Sequence, residues 1–258
     1  MHTNLQGGKI IKRLIVVSII LFAVIFLLFG YSHNTTSSSV NNSTDVHVLI
    51  YDGTGTMESS VTGIENCLDE LNNASSNKHF NYSTTVEINS NTLSGYDVLI
   101  IPGGDASQYL ANSKIDSTAI KQFVSSGKGY LGICAGAYAA TNYVDDYYSG
   151  WGLEPDVNAK NVNYEGNLSI STTSFGSKII NNSEITIFHE NGPALYTNNT
   201  QNIISTFADN NTGYEGYADM VGESYGSGRV LLSGSHPEMT PKNPELLANM
   251  ILWLSKVN

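Results

Sequence analysis

Residues Tyr130 to Tyr138 read YLGICAGAY, an apolar run that ends in a cysteine and passes straight into three small residues. Gly129 to Ile133 has the length and apolar continuity of a strand buried on both faces. Ala135 onward has the small residues with which a helix can begin against it. The junction is therefore read as a sharp strand-to-helix turn with Cys134 at its tip, and the small residues Gly132, Ala135 and Gly136 are what such a turn requires. A helix N-terminus following the cysteine would favour the thiolate, the form that attacks carbonyls. Local sequence alone leaves a second reading open, in which Cys134 is a small buried hydrophobe.

Working outward, the same strand-then-helix rhythm repeats. Val46 to Tyr51 (VHVLIY) is a buried strand ending in DGTGT, and Ser60 to Leu71 carries Val61, Ile64, Cys67, Leu68 and Leu71 at helical spacing. Thr84 to Ile88 and Asp97 to Ile101 are further strand candidates, the second closed by Pro102-Gly103-Gly104; Ile115 to Val124 is a helix stopped by Gly127. Alternation of this kind implies a mostly parallel sheet with crossover helices on its faces, and the sites of such sheets lie at the carboxyl ends of the strands. DGTGT, PGGD and CAGAY all fall there. From Asn142 to Asn182 the pattern weakens into loops and short antiparallel strands. Strands return at Glu184 to Phe188, Ile203 to Phe207, Ala218 to Tyr225 and Arg229 to Ser233, and a helix over Pro244 to Lys256 closes the chain.

The first residues stand apart. Leu14 to Tyr31 contains no charge and is long enough as a helix to span a bilayer, and it follows Lys9, Lys12 and Arg13. The positive-inside bias puts residues 1–13 in the cytoplasm, 14–31 in the membrane as an uncleaved signal anchor, 32–45 outside as a polar linker, and 46–258 outside as one globular domain. Cleavage near Gly30 to His33 would instead give a secreted protein. Asn-x-Ser/Thr sequons at Asn34, Asn41, Asn42, Asn73, Asn81, Asn167, Asn181, Asn198 and Asn210 suit an exterior location. Beyond residue 33 there remain nine basic residues against twenty-three acids, a formal charge of −14, which argues against nucleic acid as a partner.

A thiol nucleophile needs a base, and the base an orienting group. Gly234 to Glu238 reads GSHPE after the strand RVLLS; residues two apart in extended backbone face one side, so Glu238 can reach the imidazole of His236. A solvated loop is the alternative for His-Pro-Glu taken alone. Cys67 is read as helix core, although a disulfide with Cys134 would be permitted outside a cell. His189, in FHENGPALY, is read as a loop residue with no metal spacing to complete. Asp105 could hold a substrate amine or simply end the turn. Tyr143, Tyr147, Tyr148 and Trp151 are read as a lid or as a packed surface loop. DGTGT lacks the spacing of a dinucleotide fingerprint and no phosphate-loop motif occurs, so no cofactor and no metal is expected.

GICAGAY with GSHPE downstream resembles the class I glutamine amidotransferase-like superfamily. YLGICAGAY, IPGGD and YDGTGT are most similar to the N-terminal domain of large eukaryotic biotin-protein ligases, over roughly Val46 to Val257. The resemblance implies an α/β flavodoxin-like three-layer sandwich with Cys134 as nucleophile, His236 as base and Glu238 as orienter. It also implies an oxyanion hole from the backbone N–H groups of Gly104 and Ala135, with Gly103 and Asp105 touching substrate and the Asn191-Gly192-Pro193 turn lining the pocket. The pattern departs in having small Ala135 where a bulky residue is usual, and no synthetase or ligase domain accompanies it. The expected function is thiol-dependent hydrolysis of a small-molecule or peptide amide, or of a γ-glutamyl-like bond. The alternative is a non-catalytic module that keeps the fold to bind a ligand or partner.

Overall fold

The structure, a computed structural model, describes residues 44–74 and 77–256. The expected spanning run at 14–31 and its flanks lie outside these residues. Among the described residues no helix is long and apolar enough to cross a membrane.

The first half alternates as the sequence pattern requires: β1 Thr44–Tyr51, α1 Glu58–Ala74, β2 Lys78–Thr85, β3 Val98–Ile101, α2 Ala106–Ala111, α3 Ser117–Ser125, β4 Gly129–Ile133 and α4 Ala135–Ala140. The second half is strand-rich: β5 Thr141–Val144, β6 Tyr148–Ser149, β7 Glu154–Lys160, β8 Glu165–Thr172, β9 Glu184–Glu190, β10 Ala194–Thr197, β11 Ile203–Phe207, β12 Ala218–Tyr225 and β13 Gly228–Ser233. Helix α5, Pro244–Ser255, closes it.

Together these make a mixed α/β fold with one large sheet. Its central strands run β2-β1-β3-β4-β13, every neighbouring pair parallel. Beyond β13 the path continues through β12, β10, β7, β5 and β6, with antiparallel pairing except between β5 and β7, and β12 also leads through β11 and β8 to β9.

Strands β3 and β4 are buried at every position, the result of covering a parallel sheet on both faces. On one face Val48, Ile50, Ile100 and Leu131 meet Val61, Ile64 and Leu68 of α1 and Leu247, Ile251 and Leu254 of α5. On the other, Leu49, Leu99 and Tyr130 meet Ile120 and Val124 of α3, Tyr109 of α2 and the alanines of α4. Each fully buried Leu or Ile is worth about 1.5–3 kcal/mol.

Two sequence expectations need correction. The second strand occupies 78–85 rather than 84–88. It is a half-exposed edge strand anchored by Asn72, whose side-chain amide donates to Phe80 O (3.0 Å) and whose Oδ1 accepts from Phe80 N (2.8 Å), so apolar continuity is not what places it. Helix α2 was not expected. At six residues it shows little periodicity, and Asp105 starts it by accepting from the N–H groups of Ser107 and Gln108.

At the start of β7, Glu154 is 1% exposed, with the Glu223 carboxyl of β12 nearby. Burial, then the neighbouring carboxyl, pushes the Glu154 acid well above its usual range. The folded state thus retains a proton that the unfolded chain releases above its ordinary pKa of about 4.3, and stability falls as pH rises through that window. Glu154→Gln is therefore expected to raise Tm more at pH 7.5 than at pH 4.5; an equal shift at both would contradict the assignment.

Candidate active site

The carboxyl ends of β1, β3 and β4 bring DGTGT, PGGD and the cysteine turn to one edge of the sheet. Cys134 has φ 52° and ψ −107°, a left-handed backbone that a non-glycine residue adopts at a cost of order 1–3 kcal/mol. The turn is locked from beneath. A Cβ on Gly132 would lie 2.5 Å from Gly136 O, and one on Gly136 would lie 2.0 Å from Ile101 O, so the two glycines let α4 rest directly on the strands. Tyr130 Oη donates to Gly136 O at 2.8 Å, and Cys134 N donates to Ser233 O at 2.8 Å, tying the turn to the end of β13. The thiol is 5% exposed and donates to Glu190 O at 3.3 Å.

His236 follows β13 and its N–H donates to Phe188 O of β9 at 2.8 Å. Its Nδ1 lies 2.8 Å from Glu238 Oε1, with both side chains fully buried. Burial opposes the imidazolium, but the Glu238 charge and the interaction with Cys134 outweigh it and hold the imidazole pKa well above its ordinary value. His236 Nε2 has no hydrogen-bond partner among the described residues. The structure therefore brings Cys134, His236 and Glu238 into one cluster.

Ser60, at the start of α1, belongs to this cluster and was read in the sequence only as the beginning of a helix. Its hydroxyl donates to Glu238 Oε1 at 2.7 Å and accepts from Gly103 N at 2.9 Å. No short-range signal marks it, because its acid partner lies 178 residues away. Loss of a buried hydrogen bond to a charged group costs about 1.5–3 kcal/mol, and an orphaned backbone N–H adds to it. Ser60→Ala should therefore lower stability by about 2–4 kcal/mol in urea titration, and Ser60→Thr, which keeps the hydroxyl, by less. Equal losses would remove the hydroxyl from the account.

Gly103 packs against the imidazole: a Cβ there would stand 2.6 Å from His236 Cε1. Gly104 has φ +154°, and a Cβ would lie 2.0 Å from Gly55 O. The flanking bonds, Met57 N to Gly103 O and Asp105 N to Gly55 O, pin this loop to DGTGT and leave the N–H of Gly104 outside that pairing. Ala135 opens α4, where first-turn N–H groups have no partner within the helix.

A cavity of about 410 Å³ opens at the thiol, and Gly104, Asp105, Cys134, Ala135, Tyr148 and Asn191 all line it. Of the aromatic residues read as a lid, Tyr148 reaches the cavity, Tyr143 and Tyr147 are exposed, and Trp151 packs against the core. Cys67 is a free, buried thiol in α1, pushed up to about 11 chiefly by burial. His189 corrects its expectation: it lies in β9, fully buried, with Nδ1 3.1 Å from Ser235 Oγ. Among the described residues no group of three or more side chains could hold a metal.

Solved structures share this fold. A protein described as ThuA-like from Bacteroides uniformis superposes with a TM-score of 0.56 at 14% identity, over 81% of this chain and 91% of that one. A second ThuA-like protein, from Parabacteroides merdae, gives 0.52 at 11% identity over 82% and 90%. A β-galactosidase from Rahnella sp. R3 gives 0.54 at 13%, covering 83% of this chain but 31% of the enzyme. At such identities the likeness concerns fold. In sequence, residues 46–154 match the family described as biotin-protein ligase, N terminal. No curated protein matches the chain. Together these comparisons show a shared α/β fold and a similarity of residues 46–154 to the biotin-protein ligase N-terminal family.

Proposed function

We propose that residues 46–258 form a flavodoxin-like three-layer domain of the class I glutamine amidotransferase-like type, and that it hydrolyses a small amide or γ-glutamyl-like bond through Cys134. The observation that carries this is the positive-φ cysteine at the end of β4, clustered with a buried histidine whose Nδ1 is held by Glu238 and whose Nε2 is unpartnered. The central order β2-β1-β3-β4-β13 supports the fold assignment.

In this reading Cys134 Sγ bonds to the amide carbon while the carbonyl electrons move to oxygen. The N–H groups of Gly104 and Ala135 stabilise that oxyanion. His236 Nε2 takes the thiol proton and returns it to the leaving nitrogen as the C–N bond breaks, giving a thioester and a free amine. Water then attacks the thioester with His236 as base, releasing a carboxylic acid and regenerating the thiol. Glu238 Oε1 accepts Nδ1–H, which fixes the tautomer and stabilises the imidazolium. Gly103 allows the imidazole to sit where it does, and no cofactor is required.

The reading also keeps the domain outside a membrane, tethered by residues 14–31. On this reading Asn73, Asn167, Asn181, Asn198 and Asn210, all exposed, are reachable for glycans. The test is amide turnover by the intact chain across small and γ-glutamyl amides, with Cys134→Ala alongside. Turnover that survives the substitution overturns the mechanism. If the unsubstituted chain turns over none of them while still binding an amide ligand, the fold serves as a binding module.

A further inference from the structure

The side chains that line the cavity at Cys134 are electrically one-sided, and the charge of the nearby His236 imidazolium is paired with Glu238. Asp105 and Glu190 line the cavity, and among the described residues that do so none is Lys, Arg or His. The Asp105 carboxylate is fixed by four donors, the N–H and hydroxyl of Ser107 at 2.9 and 2.6 Å and the N–H and side-chain amide of Gln108 at 3.3 and 2.9 Å. Those bonds, the Ser107 contacts foremost, hold its acid below the ordinary range, so the charge is permanent at neutral pH.

Tyr148, on another wall, is pushed up to about 12 by burial first and then by Asp105. The backbone that carries Glu190 is fixed as well. It ends β9, its carbonyl accepts the Cys134 thiol, and Asn191 after it takes a φ of 52°. Gly192 then lies so close to Gly234 O that a Cβ would stand 1.9 Å away. The Tyr138 and Tyr148 side chains add aromatic surface, which attracts cations through the ring face.

We infer that the cavity selects a small amide bearing an ammonium group, with Asp105 and Glu190 as its specificity determinants, and that it disfavours a carboxylate beside the scissile bond. This rests on the reading of Cys134 as the reacting group. It also narrows that reading, because the free carboxylate of a γ-glutamyl substrate would find no basic partner among the residues that line the cavity. A cleft lined by charge of one sign concentrates the opposite ion by a factor of about 10–10³ and repels the like one.

The test measures this selection at the sulfur without requiring turnover. The intact chain is treated with two methanethiosulfonates of equal length, one ending in trimethylammonium and the other in sulfonate. Each transfers its alkylthio group to the Cys134 thiolate, forming a mixed disulfide and releasing methanesulfinate. Cys67, buried and with its thiol raised to about 11, stays out of the reaction, and Cys134→Ala provides the blank.

Relative to a small free thiol, the cationic reagent should be favoured at least tenfold. The preference should shrink in high salt and fall severalfold in Asp105→Asn, which keeps the helix cap, and in Glu190→Gln, which keeps the backbone carbonyl. A normalised ratio near one, or a ratio unchanged in both variants, would overturn the inference. A preserved ratio without amide turnover would remove hydrolysis and leave a cation-selective site; turnover without charge preference would do the reverse.

Discussion

Cys134→Ala is expected to lower amide turnover by about 10⁴-fold or more, the scale of loss when a triad member is removed and only binding and the oxyanion donors remain. Loss of folding should not mimic this. The thiol is a weak donor, to Glu190 O, and the turn is held by backbone contacts that alanine keeps, namely Cys134 N to Ser233 O and Tyr138 N to Cys134 O. His236→Ala should cause a loss of similar order and also remove the His236 contribution to the pH dependence of Cys134 alkylation. The buried imidazole is held above its ordinary pKa by Glu238 and Cys134, so in the folded protein it is a stronger proton acceptor than a free histidine. The sign follows for stability as well. A raised histidine pKa stabilises fully below the unfolded value of about 6.5, and that contribution is lost as pH rises through the folded one. Alkylation with the same pH profile in the presence and absence of His236 would dissolve the pair.

Gly136→Ala should be a strongly damaging single-methyl change near the site. The added Cβ would lie 2.0 Å from Ile101 O and 3.0 Å from Ile101 Cβ, contacts that only a shift of α4 away from β3 can relieve. Overpacking of a rigid core typically costs about 1–3 kcal/mol, and a clash with backbone sits at or beyond the upper end. Gly95→Ala is the control: nothing lies within 4 Å, and only the left-handed φ of +88° opposes it, at about 1–2 kcal/mol. Comparable urea midpoints for the two variants would show that α4 is free to lift.

The central sheet was legible because buried parallel strands leave uninterrupted apolar runs, and VLII and GYLGI are fully buried. Helices α1 and α3 were legible from spacing, since Val61, Ile64 and Leu68, and Ala119 and Ile120, face the core. The edge strand β2 was misplaced because half of its side chains meet solvent and its register follows from Asn72. The start of α2 was marked by Asp105, a capping signal that turn chemistry could have identified. In the antiparallel half the strands β7 and β8 were legible only as a region, because polar and Gly-containing segments there pair over long sequence distances. The proximity of His236 and Glu238 is local and was readable from i, i+2 spacing. Ser60 was not, since tertiary packing alone brings α1 to the acid. Nor was the burial of His189, which depends on β9 being covered.

Strand β9 touches both sides of the proposed chemistry. Its Phe188 carbonyl accepts from His236 N, and its Glu190 carbonyl accepts from the Cys134 thiol. Yet β9 pairs in ladder fashion with β8 alone, at the far end of the antiparallel extension. The segment 46–154 that matches a known family carries the cysteine but neither of these latches, nor the histidine and glutamate. The nucleophile therefore comes from the matched segment and the groups that would make it useful from the rest of the chain, which β13 and the closing helix α5 bind into the same sheet and core. Presence of the cysteine turn alone is therefore a poor forecast of activity unless the β8–β9 arm and the residues after β13 are present as well.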